Sequence, residues 1–257
     1  MGSLALASCE RISYDGAQNH CGSNLLCGGV HGLMRKRHNA VAAKLRRTFQ
    51  RSLLTWYAAN KRNLPWRHTA DPYRILVSEI MLQQTQVERV IPKYEEFLQK
   101  YPTLEALANA PIEEVRQTWY PLGYNIRPLR LHSIAREAVE KYSGKIPDDP
   151  EALQGLKGIG RYTAGAVLSF AFGRDVPILD TNVRRVLHRV FVGEGDAKRY
   201  SLQKDLWELS EALIPAGNAY DFNQALMDFG ATVCTARKPV CLLCPMQDFC
   251  KACPCMP

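Results

Sequence analysis

The chain has 257 residues, 46% of them apolar, enough for one large domain or two modest ones around a sizeable core. Its 33 Lys and Arg against 25 Asp and Glu leave a net charge of +8. That balance suits a polyanion such as nucleic acid, and also an ordinary basic surface. No run approaches the roughly 20 apolar residues of a membrane span. Leu4 to Ala7 is too short for a secretory core and has no basic segment before it. A cytoplasmic, nucleoid-associated location is therefore expected, and in that reducing setting nine cysteines argue against a disulfide framework.

Residues 1–33 lack periodicity and are rich in Gly, Ser and Asn, with isolated Cys9, Cys21 and Cys27. A disordered extension to about residue 38 is expected, with Met34 a candidate start before Arg35, Lys36 and Arg37. From about Ala40 the pattern turns helical: Leu45, Phe49, Leu53, Leu54 and Tyr57 recur at spacings of three and four. After Asn63-Leu64-Pro65, Ser78 is expected to cap a long helix from Glu79 to about Leu98, kinked or split at Pro92. Further helical patterns cover about 104–109, 112–118, 128–141, 150–156 and 161–172, the last stopped by Gly173 in the left-handed conformation. Asp180 opens the next helix (182–191), followed by 201–213 and 221–233. With no alternating strands, the predicted fold class is all-α.

Two local motifs carry chemistry. Cys234, Cys241, Cys244 and Cys250 are spaced Cys-x6-Cys-x2-Cys-x5-Cys. Four thiolates so close in sequence can surround a zinc ion or an iron–sulfur cluster, which ligand type alone does not separate. Leu156-Lys157-Gly158-Ile159-Gly160 joins two helical runs and has the form of a helix-hairpin-helix. Glycines there let backbone approach a phosphate, and the amides opening the next helix become anion donors. Gly158, Gly160 and Arg161 are thus candidate phosphate contacts, although a Gly-x-Gly turn alone is common between helices.

The cysteine spacing resembles the iron–sulfur loop of endonuclease III and of MutY-type adenine DNA glycosylases. The resemblance covers about residues 44–253. It is carried by Leu64-Pro65-Trp66-Arg67, Asp71-Pro72-Tyr73, Ser78 to Val87, Gly158 to Val167 and Ile178-Leu179-Asp180. It implies a helix-hairpin-helix DNA glycosylase with two helical lobes: a barrel at 69–175, and a second lobe of 39–68 with 176–257. A 4Fe–4S cluster would sit on the four cysteines, with Arg237 and Lys238 meeting phosphate. Cys253 and Cys255 are not expected to be ligands.

The resemblance implies roles at single positions. Asp180 matches the shared aspartate that stabilises the oxocarbenium-like sugar; by position it is also an N-cap, and a helix N-terminus should keep it ionised. Glu79 matches the general acid that protonates adenine, for which burial would have to raise its pKa. Tyr162 stands where endonuclease III-like lyases carry a Schiff-base lysine, so a monofunctional enzyme that leaves an abasic site is implied. Gln84 would fill the space of the extruded base and Tyr124 would wedge beside the opposite base. Trp66, Arg67, Leu82, Gln83 and Gln224 match positions near the base. Each has an ordinary alternative: core packing, surface charge or a polar helix face.

The pattern departs from the adenine enzymes in three places. The chain ends soon after Cys250, so the C-terminal Nudix-like domain that reads 8-oxoguanine is expected to be missing. Leu122-Gly123-Tyr124-Asn125 has asparagine in place of a second tyrosine, and Asp180-Thr181-Asn182 replaces Asp-Gly-Asn. Related enzymes that remove thymine or uracil opposite guanine have short chains and the same acidic positions, and so form the alternative. A non-catalytic duplex-binding protein is the alternative from another class. The expected partner is mismatched double-stranded DNA, bound by a monomer across the basic mouth of a cleft, with Glu79 and Asp180 facing each other.

Overall fold

The computed structural model describes residues 43–253 apart from 194, 197 and 198. The expected N-terminal extension, with Cys9, Cys21, Cys27 and Met34, and also Cys255, lies outside the described residues. Those described form helices and no strand. No helix among them is long and apolar enough to cross a membrane.

Helix α1 (Ala43–Asn60) buries Phe49, Leu53 and Tyr57, one face at four-residue spacing. A 3-10 turn at Pro65–Arg67 leads to α2 (Pro72–Leu82), where the expected boundary is corrected. Asp71 is the cap, accepting from the Tyr73 amide, and Pro72 occupies the first turn. Ser78 lies inside the helix and donates to the Ile75 carbonyl. The chain then breaks at Gln83–Gln86, with Gln84 at φ 56°, and α3 (Val87–Lys100) continues through Pro92. The aspartate–proline start outcompeted the serine, and the split falls at the glutamines rather than at the proline.

The remaining elements follow the apolar periodicity: α4 (Leu104–Asn109), α5 (Ile112–Trp119), α6 (Ile126–Tyr142), α7 (Pro150–Gly155) and α8 (Arg161–Phe170). Beyond Gly173, left-handed as expected, come α9 (Thr181–Leu187), extended by a π turn to Val192, then α10 (Tyr200–Leu213) and α11 (Ala219–Thr232). Helix α11 packs on α1 and α9, α8 on α2, and α6 on α4 and α5. Contacts between α8 and α11 join these groups. One apolar cluster runs from Phe49 to Met246, with edge-to-face ring pairs such as Phe49–Phe191 and Trp56–Phe229. Gly230 brings α11 against the first turn of α9: a Cβ there would lie 2.7 Å from Asn182 Cβ.

Candidate active site, iron–sulfur loop and relatives

Glu79 sits in the last turns of α2 with its side chain turned into the protein, 4% exposed. Its Oε2 accepts the Tyr162 hydroxyl at 2.8 Å, from the first turn of α8. Burial pushes the Glu79 carboxyl up to about 7. The Tyr162 bond and the Arg67 charge pull it down, and Asp180 pushes it further up. A carboxylic acid in that range holds a proton near neutrality and can give it away. Tyr162 is held far above its ordinary value, by burial first and then by the charges of Glu79 and Asp180. The three expected catalytic side chains therefore form one electrostatic cluster from three helices.

Asp180 caps α9, with the Val183 amide donating to Oδ1 at 2.6 Å and Asn182 Nδ2 donating to Oδ2 at 3.0 Å. These bonds favour its charged form, but burial outweighs them and the carboxyl lies above its ordinary value. Desolvation is thus the larger effect on Asp180, opposing the capping bonds that favour its charge. Asn182 Oδ1 accepts from Arg185 Nη2 at 2.8 Å, and Arg185 Nε donates to the Cys234 carbonyl at 2.7 Å. A hydrogen-bonded path thus links Asp180 to the first cysteine of the loop.

The residues expected near the base separate into two groups. Trp66 and Arg67 are packed inside the protein. Trp66 meets the Tyr94 ring edge-on at 5.5 Å, and Arg67 makes a two-pronged bond with Asp228, 2.8 Å at each oxygen. Asp228 is fully buried and also holds Arg62, and the arginines keep its carboxyl below the ordinary range despite burial. Gln224, also on α11, is buried. Leu82 ends α2 and Gln83 and Gln84 follow it in the break, while Tyr124 lies on the loop before α6, 56% exposed. Both of these segments are tied to Arg127. Sequence reasoning missed Asp228, Arg185 and Arg127. The signal for two of them was a lone charge on an otherwise apolar helical stripe: Asp228 between Leu226 and Phe229, and Arg127 four residues before Leu131.

At the hairpin Gly158 has φ 108°, which only glycine adopts without strain. Gly160 opens α8 with no side-chain cap. A Cβ on Gly160 would meet nothing within 4 Å, leaving open space before the first amides. The Arg161 guanidinium lies 4.1 Å over the Trp207 ring. Arg237 and Lys238 are exposed on the cysteine loop.

Cys234, Cys241, Cys244 and Cys250 all line one cavity of about 590 Å³. Arg189 Nη1 and the Met246 amide point donors at the sulfurs of Cys234 and Cys244, at 3.5 and 3.4 Å, an arrangement that favours the charged form of sulfur. The cavity has room for a cluster of several atoms, and the four thiols lining it suit the group the resemblance implied.

Two family models match this arrangement. One, for HhH-GPD superfamily base excision DNA repair proteins, covers residues 77–212. The other, the iron–sulfur binding domain of endonuclease III, covers residues 234–250. The chain belongs to the HhH-GPD superfamily. Its cofactor is a 4Fe–4S cluster, and the matched iron–sulfur segment runs from Cys234 to Cys250. Within the superfamily it is similar to the human adenine DNA glycosylase, 46% identical over 213 residues, covering 79% of this chain and 39% of that protein. It is also similar to the thymine/uracil-DNA glycosylase of Methanothermobacter thermautotrophicus, 39% identical over 80% of this chain and 94% of that protein. A solved thermostable thymine-DNA glycosylase superposes with a TM-score of 0.75 at 38% identity, covering 80% of this chain and 95% of that one. The chain thus spans well under half the length of the human adenine enzyme it matches.

Proposed function

We propose that this chain excises adenine from mismatched duplex DNA, opposite guanine or 8-oxoguanine, by hydrolysing the N-glycosidic bond. The observation that carries this is Glu79: a fully buried carboxylic acid, pushed up to about 7 and oriented by Tyr162. Adenine leaves poorly as an anion, so its N7 must take a proton as the bond to C1′ breaks. Glu79 supplies that proton, and the bonding electrons leave with the base. The cationic sugar that develops is stabilised by the Asp180 carboxylate, water adds to C1′ and loses a proton, and an abasic site remains. Tyr162 carries no amine, so no Schiff base forms and the strand is not cut.

The duplex lies across a cleft between a barrel of residues 69–175 and a second lobe that combines α1 with the C-terminal helices. One monomer acts, and the net charge of +8 supports the polyanionic partner. The unobstructed amides after Gly160, together with Arg161, Arg237 and Lys238, take phosphates. Gln84 and Tyr124 open the stack at a cost of a few kcal/mol. Trp66, Arg67, Leu82, Gln83 and Gln224 form and support the base pocket.

A second reading, thymine or uracil opposite guanine, is favoured by one observation: relatives of that name match over nearly their whole length. The deciding experiment is a panel of A:G, A:8-oxoguanine, T:G and U:G duplexes, each with and without alkali. Breaks only after alkali, and only at the adenine pairs, are expected. Activity confined to T:G and U:G would move the protein to the second reading.

A further inference from the structure

Arg127, in the first turn of α6, is 3% exposed, and no acidic side chain among the described residues offsets its charge. The guanidinium is instead caged by backbone. Nη1 donates to the carbonyls of Ile80, Met81 and Gln83, and Nη2 to those of Leu122 and Gly123 and to Thr85 Oγ1. The Trp119 and Tyr124 rings lie 5.4 and 5.2 Å from it. Burying a cation without a counter-charge is costly, so the arrangement calls for a compensating role.

The placement of two of those carbonyls supplies one. Those of Gln83 and Gly123 immediately precede Gln84 and Tyr124, whose φ angles are 56° and 49°. Among the described non-glycine residues only Ser143 shares that left-handed region. Such backbone is strained for residues with a Cβ, and persists where the surroundings over-determine it. One planar fork therefore holds the carbonyl before each strained residue: Nη1 bonds only the segment ending at Gln83, while Nη2 bridges from Thr85 in that loop to Leu122 and Gly123, tying the two loops together.

We propose that Arg127 is the positioning residue for base extrusion, holding Gln84 and Tyr124 as one rigid unit against the duplex. The proposal rests on the DNA-glycosylase reading above. It makes three demands: the fork is needed rather than the charge, lysine cannot replace it, and the effect runs through Gln84 and Tyr124.

The test uses the full, cluster-loaded chain and a duplex with 2-aminopurine at the target position, whose fluorescence rises on unstacking. Melting temperature and cluster absorbance serve as controls. For Arg127→Lys, extrusion and single-turnover base release should both fall about 10-fold or more, with duplex affinity changed far less. In a Gln84→Ala/Tyr124→Ala background the same change should add almost nothing. Unchanged extrusion in Arg127→Lys, or losses that simply add, would overturn the proposal. Should Arg127→Lys melt, Thr85→Val removes one acceptor and should weaken extrusion by about 3-fold; full extrusion there would count against the clamp. A wild type that extrudes the base without releasing it would defeat the functional reading and leave the clamp standing.

Discussion

The Tyr162 hydroxyl donates to Glu79 Oε2 at 2.8 Å, joining α8 to α2 across 83 positions of sequence. It holds the buried acid in one orientation and limits how far burial raises its pKa. Two pH dependences follow, and they run in the same direction. Adenine release needs protonated Glu79, so it should fall as pH rises through about 7. Tyr162→Phe removes a bond that lowers the Glu79 pKa, so the falling limb should move to higher pH while the maximal rate drops. Stability has the same sign. The folded protein keeps a proton that the unfolded chain releases near 4.5, so stability is lost as pH rises from there through 7. The loss is at most about 3 kcal/mol. Urea midpoints across that window should decline in the wild type and flatten in Glu79→Gln.

Asp180 has two roles that one substitution separates. Asparagine caps a helix as well as aspartate does. Asp180→Asn should therefore keep the melting temperature within a few degrees while single-turnover release falls by about 10²-fold or more. Normal turnover would remove the carboxylate from the mechanism.

The Arg67–Asp228 pair, with Arg62 alongside, is buried on the Asp228 side. Asp228→Asn leaves the Arg67 cation without its counter-charge. Breaking such a pair costs about 3–5 kcal/mol. Thermal unfolding should show a drop of roughly 6–20 °C for a domain of this size.

Cys250→Ser removes one of the four thiolates. Visible absorbance should be lost, and iron analysis should fall from about four per chain. A colourless wild type containing zinc would refute the cluster.

Much of this was legible in the sequence because it is local. Helices α4 to α11 follow apolar periodicity, the hairpin needs its glycines, and the cysteines are close in sequence. What escaped was set by competition or by distance. Ser78 is a good cap in isolation, yet Asp71-Pro72 starts the helix earlier, and that places Glu79 near the helix end, facing inward, rather than in an exposed first turn. Arg67 passes for a surface charge until Asp228, 161 positions away, folds against it. The capping role of Asp180 was legible, but the burial that outweighs its capping bonds is a tertiary property.

The most direct test of the central claim is single-turnover base release by Glu79→Gln on A:G and T:G duplexes beside the wild type. Glutamine keeps the shape and cannot give the proton. The account predicts adenine release in the wild type, its loss in the variant, and no thymine release in either. Undiminished adenine release by Glu79→Gln, or thymine release by both proteins, would contradict it.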